Sequence, residues 1–464
     1  MKKIWSKLKT IEGLVLGFFL IRLIGITFPP LEIWHSWRQT LTNMMARNMA
    51  EGHFSYLYPM VDMGGQRTGI IGSEFPFFQS LIAGCTLVFG EAHWYGRLLN
   101  LVVCSLAVIA FFRLCKKWWN ERTAWFATVI FLTSLWFVFS RKSMPDTFSV
   151  ALVIVGIYCF QLFIDSKKWH NLILATILIT LGGLCKIPAV FLFGLIIPLW
   201  LCKTIRFQTK ITISIAVGIA SSFILFWYFS WVPHLVETYG FVLFFPKGIT
   251  EGWLEIKPLF SDFAAQFYFG ALRSYIVLFP LLIGIFWLGY RRNRLTFIGI
   301  VSLTGIFLLF SIKTGAVFPT HNYYVLPFVP VLAVIAGLGL QRLDKRLGIA
   351  LLMLIATEGI GNQIADFRIK EEVKYKLTLE QQVNQLVPKG EKIIIHSGPN
   401  PEWMYWYHRK GWSLKPEEIQ NPVKMLEIRK EGGDYIVIDK RDWDIELPFK
   451  KVGETRDLEV WKML

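Results

Sequence analysis

Charge is what this 464-residue chain has least of. Asp, Glu, Lys and Arg make up 18% of it, against about a quarter in ordinary soluble proteins. With 54% hydrophobic and 16% aromatic residues and a mean hydropathy of +0.46, that shortage excludes a string of water-soluble domains and points to a polytopic membrane protein. Cysteine is also scarce: the six residues (Cys85, Cys104, Cys115, Cys159, Cys185 and Cys202) lie in or beside apolar runs, and residues 362–464 have none. A disulfide framework or zinc knuckle is thereby excluded. The chain lacks GxGxxG, a Walker motif and any internal repeat, which removes the familiar dinucleotide, P-loop and solenoid classes.

Acids are scarcer than bases, 33 against 49, for a net +16. Residues 362–464 hold 18 acids and 18 bases, so the excess belongs to the apolar first 361 residues and no nucleic-acid-binding domain is implied. Eleven apolar stretches approach the roughly 17–25 residues a spanning helix needs: about 10–28, 94–114, 123–140, 147–164, 170–185, 187–202, 211–231, 274–290, 295–312, 323–341 and 347–361. The short connectors 1–9, 115–122, 165–169, 203–210, 291–294 and 342–346 carry 18 bases against three acids. The positive-inside rule makes these loops cytoplasmic and the chain a multi-pass protein of the cytoplasmic (inner) membrane, with its N-terminus inside and residues 362–464 outside. Residues 76–90 are apolar but too short to span, and counting them as a span would invert every later basic loop. They read as an interfacial or re-entrant helix on the outer side.

Two outer loops are long, 29–93 and 232–273. The first begins with helical periodicity, Trp34, Trp37, Leu41, Met44 and Met45 forming one stripe, which predicts an amphipathic helix on the outer leaflet. The 370–464 segment predicts a small α/β domain, with strands near 392–396, 435–438 and 458–461 in a mainly parallel sheet and helices near 378–387, 401–409 and 416–431. Charged groups near a bilayer are costly and therefore informative. On the outer side they are His35, Arg38, Asp62, Arg67 and Glu74 in the first loop, Arg141, Lys142 and Asp146 before 147–164, Lys186 in a tight turn, and His321 with Tyr323 and Tyr324. Acids and bases meeting at one membrane face suit a reaction on an anionic lipid-linked substrate.

In order along the chain come a large first outer loop, Glu74-Phe75-Pro76 before a short apolar helix, Arg97 leading the next span, Arg141-Lys142-Ser143-Met144-Pro145-Asp146, Lys186-Ile187-Pro188 and Tyr324-Val325-Leu326-Pro327. With these the chain resembles the GT-C membrane glycosyltransferases that use polyprenyl-phosphate sugars, a group including protein O-mannosyltransferases and aminoarabinose transferases acting on lipid A. The resemblance runs over about residues 10–345 and is nearest the bacterial branch with His-x-Trp-Arg-Gln, here His35-Ser36-Trp37-Arg38-Gln39.

The resemblance implies a polyprenyl-phosphate-linked sugar donor, a glycan, lipid or protein acceptor, and contact with membrane lipid. Asp146 matches the family's second-loop Asp. Glu74 matches an acid that helps build the site or binds a divalent metal in some members, so a metal cofactor is left open. Lys186 and Tyr324 match donor-phosphate positions, Arg273 and His321 match them more loosely, and Arg38 belongs to the substrate-binding set. Relatives carry Asp or Asp-Glu where this chain has His35-Ser36, which leaves His35, Asp62 and Glu74 as candidate bases.

The chemistry asks for the same residue types. An acceptor hydroxyl attacking an anomeric carbon needs a base, worth about 10²–10⁴-fold, and a departing phosphate needs fixed cations. One displacement inverts the anomeric centre. Simpler roles stand beside these: Arg38 snorkelling to lipid phosphate, His35 capping its helix, Asp62 shaping a turn, Asp146 favoured in a first helical turn, and Arg22 pairing with Glu358. The rival function is a transporter or lipid flippase, which would show repeated halves.

Overall fold

The structure is a computed structural model that describes residues 10–240, 246–290, 293–443 and 445–463. The basic segment 1–9, Arg291 and Arg292 of another basic connector, and residues 241–245 of the second long loop lie outside the described residues. The chain divides into two compact units: Met1–Ile26, Gly96–Ser230 and Phe244–Phe367 in one, and Thr27–Tyr95, Trp231–Leu243 and Arg368–Leu464 in the other.

The first unit is helical, and each of the eleven apolar stretches contains helix. Tyr95–Trp118, Pro145–Ser166, Phe207–Tyr239, Arg294–Thr314 and Asn322–Arg342 are long and apolar enough to cross a bilayer, while Trp169–Cys185, Ile187–Leu201 and Leu278–Gly289 are shorter apolar helices. In apolar surroundings a helix satisfies its own backbone groups, so this is the form such sequences take. The chain is a polytopic α-helical membrane protein with a small C-terminal sheet.

Hydrogen bonds fix which helix ends meet. At one end the Trp118 indole donates to Gln161 (2.8 Å), the Trp119 indole to Thr296 (3.0 Å) and the Thr123 hydroxyl to Gln341 (2.6 Å). Lys117 meets Asp165 at 3.2 Å and Arg113 meets Glu12 at 3.1 Å there. The described basic connectors therefore gather at this end. At the opposite end the Gln363 amide donates to the Thr133 carbonyl (3.1 Å) and the Leu135 N–H to that of Ala271 (2.9 Å). Arg22 and Glu358 do not pair with each other. Buried Arg22 donates to the Phe18 carbonyl (3.0 Å) and to the Ser140 hydroxyl, while Glu358 accepts from the Ser274 hydroxyl and from the N–H groups of Tyr275 and Ile276 (3.0 and 3.2 Å).

In the second unit, strands β1 (Ile393–Ile395), β2 (Gly411–Ser413), β3 (Tyr435–Asp439), β4 (Lys450–Glu454) and β5 (Leu458–Lys462) form a sheet of order β2-β1-β3-β5-β4. The β1 pairings with β2 and β3 are parallel, and β3–β5 and β4–β5 are antiparallel, so the sheet is mixed rather than mainly parallel. Alternate side chains serve opposite faces. Ile393, Ile395, Tyr435, Val437, Leu458 and Val460 enter one core, and Ile394, Trp412, Ile436, Ile438 and Trp461 the other.

The helix Ser36–Ala50 joins the first of these cores. Leu41, Met44 and Met45 pack among Val383, Ile393, Met404 and Tyr405, and Gln39, Asn43, Arg47 and Asn48 are buried as well. The periodicity forecast the helix correctly but misplaced it. Its polar face is not solvated, because Glu32 accepts from the Gln39 amide (2.8 Å) and Glu402 from the Ser36 hydroxyl (2.9 Å).

Candidate active site

In the helical unit the site begins at the packing of Pro145–Ser166 against Trp169–Cys185. Glycines permit the approach: a Cβ on Gly182 would sit 2.7 Å from the Val153 side chain and 2.9 Å from the Ser149 carbonyl, and one on Gly156 would sit 2.6 Å from Ile179. Ser149 then donates to the carbonyls of Gly182 (2.6 Å) and Lys186 (3.2 Å), tying the end of one helix to the start of the other. Asp146, one turn before Ser149, consequently meets the Lys186 ammonium at 3.8 Å. The two side chains are 4% and 17% exposed, so their attraction is screened far less than that of a surface pair. Lys186 is the extended hinge between Trp169–Cys185 and the 3-10 helix Ile187–Leu195.

The Arg141–Asp146 stretch is held from Tyr95–Trp118. The Asn100 amide donates to the carbonyls of Phe139 (3.1 Å) and Lys142 (2.8 Å) and to the Thr147 hydroxyl (2.8 Å). Sequence reasoning passed over Asn100, although a lone amide inside Leu98-Leu99-Asn100-Leu101 is the kind of signal it uses elsewhere. Arg97 on the same helix is fully buried.

Arg273 has a left-handed backbone (φ 55°) and stitches its loop to the last helix: its guanidinium donates to the Asn362 carbonyl at 3.0 Å, and the Asn362 amide donates back at 3.0 Å. Burial pushes its pKa below the usual arginine range. Tyr324 is buried in the 3-10 helix Asn322–Phe328, which packs on Pro145–Ser166. The His321 ring lies 5.6 Å from Tyr323 and 6.5 Å from Tyr324, and burial lowers its pKa, favouring the neutral imidazole. The bonds from Thr133 to Gln363 and from Thr123 to Gln341 put Arg273, His321 and Tyr324 at the end of the unit that also holds Asp146 and Lys186.

The remaining candidates belong to the second unit. His35 occupies the N-cap of Ser36–Ala50 in a left-handed conformation (φ 62°) and makes no capping hydrogen bond. Arg38, one turn in, forms an ion pair with Glu74, both largely buried. Asp62 is engaged on both oxygens, by Arg47 (2.9 Å) and by the Asn48 amide (2.8 Å), and its carbonyl receives the Gly411 N–H (2.9 Å). Burial opposes the Arg47 charge, and Asp62 together with Tyr405 and Glu51 more than offsets it, leaving the guanidinium pKa above its usual range. That is the geometry of an anchor. For a metal, Glu74 faces a guanidinium and, among the described residues, no three His, Cys, Asp or Glu side chains gather to hold an ion. These side chains do not fit a metal site.

The packed apolar helices and the small C-terminal sheet are those of the GT-C fold. The chain superposes on ArnT from Cupriavidus metallidurans, solved with undecaprenyl phosphate bound, with a TM-score of 0.62 over 97% of this chain and 98% of that one at 12% identity. It also superposes on the apo oligosaccharyltransferase of Archaeoglobus fulgidus, with a TM-score of 0.59 over 92% of this chain and 69% of that one, again at 12% identity. By sequence, residues 73–231, which include Glu74, Asp146 and Lys186, match the family described as dolichyl-phosphate-mannose-protein mannosyltransferase. Among curated proteins none matches the chain.

Proposed function

We propose that the protein is a membrane glycosyltransferase that moves a sugar from a polyprenyl monophosphate to an envelope lipid, glycan or protein at the outer face of the cytoplasmic membrane. The observation that carries this reading is the buried Asp146–Lys186 pair at the end of the helical unit opposite its basic connectors. The bound lipid phosphate of the Cupriavidus structure supports the donor class, and the family match supports the transfer chemistry.

In the reaction the acceptor oxygen forms a bond to the anomeric carbon while the bond from that carbon to the phosphate oxygen breaks. Asp146 takes the acceptor proton, and Lys186 faces the phosphate that departs with the electron pair. Arg273, His321 and Tyr324 complete the donor end. Arg38, as a substrate-binding residue, and Glu74 and His35, as candidate catalytic residues, are the first loop's contribution to this reading. One displacement at the anomeric carbon inverts it.

Incubating the purified protein with polyprenyl-phosphate sugars and envelope extract tests this. Released polyprenyl phosphate is the expected product, and its absence with every donor overturns the reading. Asp146→Asn and Lys186→Met should each cut turnover by about 10² or more, the scale of a general base or a charge stabiliser, with expression unchanged.

A further inference from the structure

The second unit has a pocket of its own. The parallel strands β1, β2 and β3 end at the same edge of the sheet, and the spatial order β2-β1-β3 sends the chain first to one side of β1 and then to the other. Such a switch point opens a crevice beyond the carboxyl ends of the strands, where α/β sheets bind ligands. Here it holds a cavity of about 320 Å³ lined by His396, Asn400, Trp403, Tyr407, Asp442 and Trp443, within the roughly 300–1,000 Å³ of small-molecule sites.

The polar groups divide into those that build the pocket and those that face it. Asp439 builds: it accepts from Tyr375, from the Trp403 indole (3.3 Å) and from the Arg441 N–H (3.0 Å), while its own N–H donates to His396 Nε2 (3.0 Å). Burial lowers the His396 pKa, so the imidazole is neutral and this nitrogen accepts. By contrast, Tyr407 is 1% exposed, yet among the described residues no hydrogen bond engages its hydroxyl. A buried tyrosine hydroxyl normally has a partner. No side chain among the described residues pairs with the Asp442 carboxylate, and burial beside Asp439 raises its pKa.

The nearby cations are already committed. Arg441 meets Asp457 at 2.6 Å and lies over the Tyr375 ring, and Lys376 meets Glu402 at 2.9 Å and covers one face of Trp403. The pocket is thus acidic and aromatic, which disfavours phosphates and nucleotides. Indole faces beside a carboxylate, a phenol and an amide match a ring with apolar C–H faces and a rim of hydroxyls.

We propose that this crevice is a carbohydrate-binding site for an uncharged sugar ring, stacked on Trp443 and Trp403 and hydrogen-bonded by Asp442, Tyr407 and Asn400. None of its lining residues is among those assigned to transfer, and it stands whether or not the chain transfers sugar. The test is saturation-transfer NMR on the full-length protein in detergent with millimolar methyl glucoside, N-acetylglucosamine and glucose 1-phosphate. The expected result is transfer to the ring protons of the two neutral sugars, a weaker signal for the phosphate, and at least tenfold loss in Trp443→Ala and in Asp442→Asn with melting unchanged. Asp146→Asn should keep the signal. No transfer from either neutral sugar, transfer indifferent to both pocket variants, or strongest transfer to glucose 1-phosphate overturns the proposal.

Discussion

Replacing Asp62 separates an anchor from a catalytic base. Its carboxylate is 5% exposed and neutralises Arg47, itself 8% exposed. In Asp62→Ala the guanidinium keeps its bond to the Tyr405 carbonyl (3.1 Å) and its place over the Tyr405 ring (4.8 Å), but it loses its counter-charge inside a closed core, and the Asn48 amide loses its acceptor. Breaking a buried pair from one side costs about 3–5 kcal/mol. For a unit of 150–250 residues each kcal/mol moves the melting temperature by roughly 2–4 °C. Asp62→Ala should therefore melt about 6–20 °C below the parent when tryptophan fluorescence of the solubilised protein is followed on heating. Replacing both partners removes the stranded charge, so Arg47→Met with Asp62→Leu should recover part of that loss. The remainder is the Tyr405 carbonyl left without its donor and the Asn48 amide left without this acceptor, about 1 kcal/mol each. A general base behaves otherwise: Asp62→Ala would melt like the parent with turnover gone, and the double variant would recover nothing. That pattern would refute the anchor assignment.

Three further outcomes follow from the geometry. Gly182→Ala pushes a Cβ into Val153 and the Ser149 carbonyl, separating Lys186 from Asp146, and should lower turnover at least tenfold; Gly218→Ala, which meets nothing within 4 Å, should not. Asn100→Ala removes the amide that bridges the Phe139 and Lys142 carbonyls, although the Thr147 hydroxyl (3.0 Å) still serves the first and the Met144 N–H (2.8 Å) the second; the lost bonds are worth about 1 kcal/mol each, and the change should lower both melting temperature and turnover, the first read by fluorescence and the second by polyprenyl phosphate release. His408 bonds Glu51 (2.7 Å) and Glu380 (3.0 Å); the Glu51 contact raises the imidazole pKa above 6.5, and His408 lowers the Glu51 pKa below 4.5. The contribution is full between these limits and is lost as pH rises through the histidine's folded pKa or falls through the glutamate's. At 28% and 48% exposure it is worth at most about 1 kcal/mol. His408→Asn, which tolerates the left-handed φ of 51°, should flatten the alkaline limb of melting against pH.

What the sequence made legible follows from the range of each interaction. Apolar runs and the sidedness of charge are properties of consecutive residues, so the helices and their common end could be read directly. Asp146 and Lys186 could each be picked out, being charges beside apolar helices. Their contact could not, because it depends on two glycines letting helices approach. β2 escaped because Gly411-Trp412-Ser413 has neither length nor alternation, and β4 because an exposed edge strand carrying Lys450 and Lys451 looks like a loop. The helix Ser36–Ala50 is the instructive failure. Its apolar stripe announced a buried face but could not say what covers it, and a polar face reads as solvated whenever its partners are distant in sequence. Such partners are Asp62, 15 residues from Arg47, and Glu402, 366 residues from Ser36. With both faces satisfied inside the unit, the helix packs on Glu402–Tyr407, and its Leu41, Met44 and Met45 share the core that one face of the sheet enters. The C-terminal segment therefore completes that core only with residues contributed by the first loop, and a cut near residue 362 would remove them.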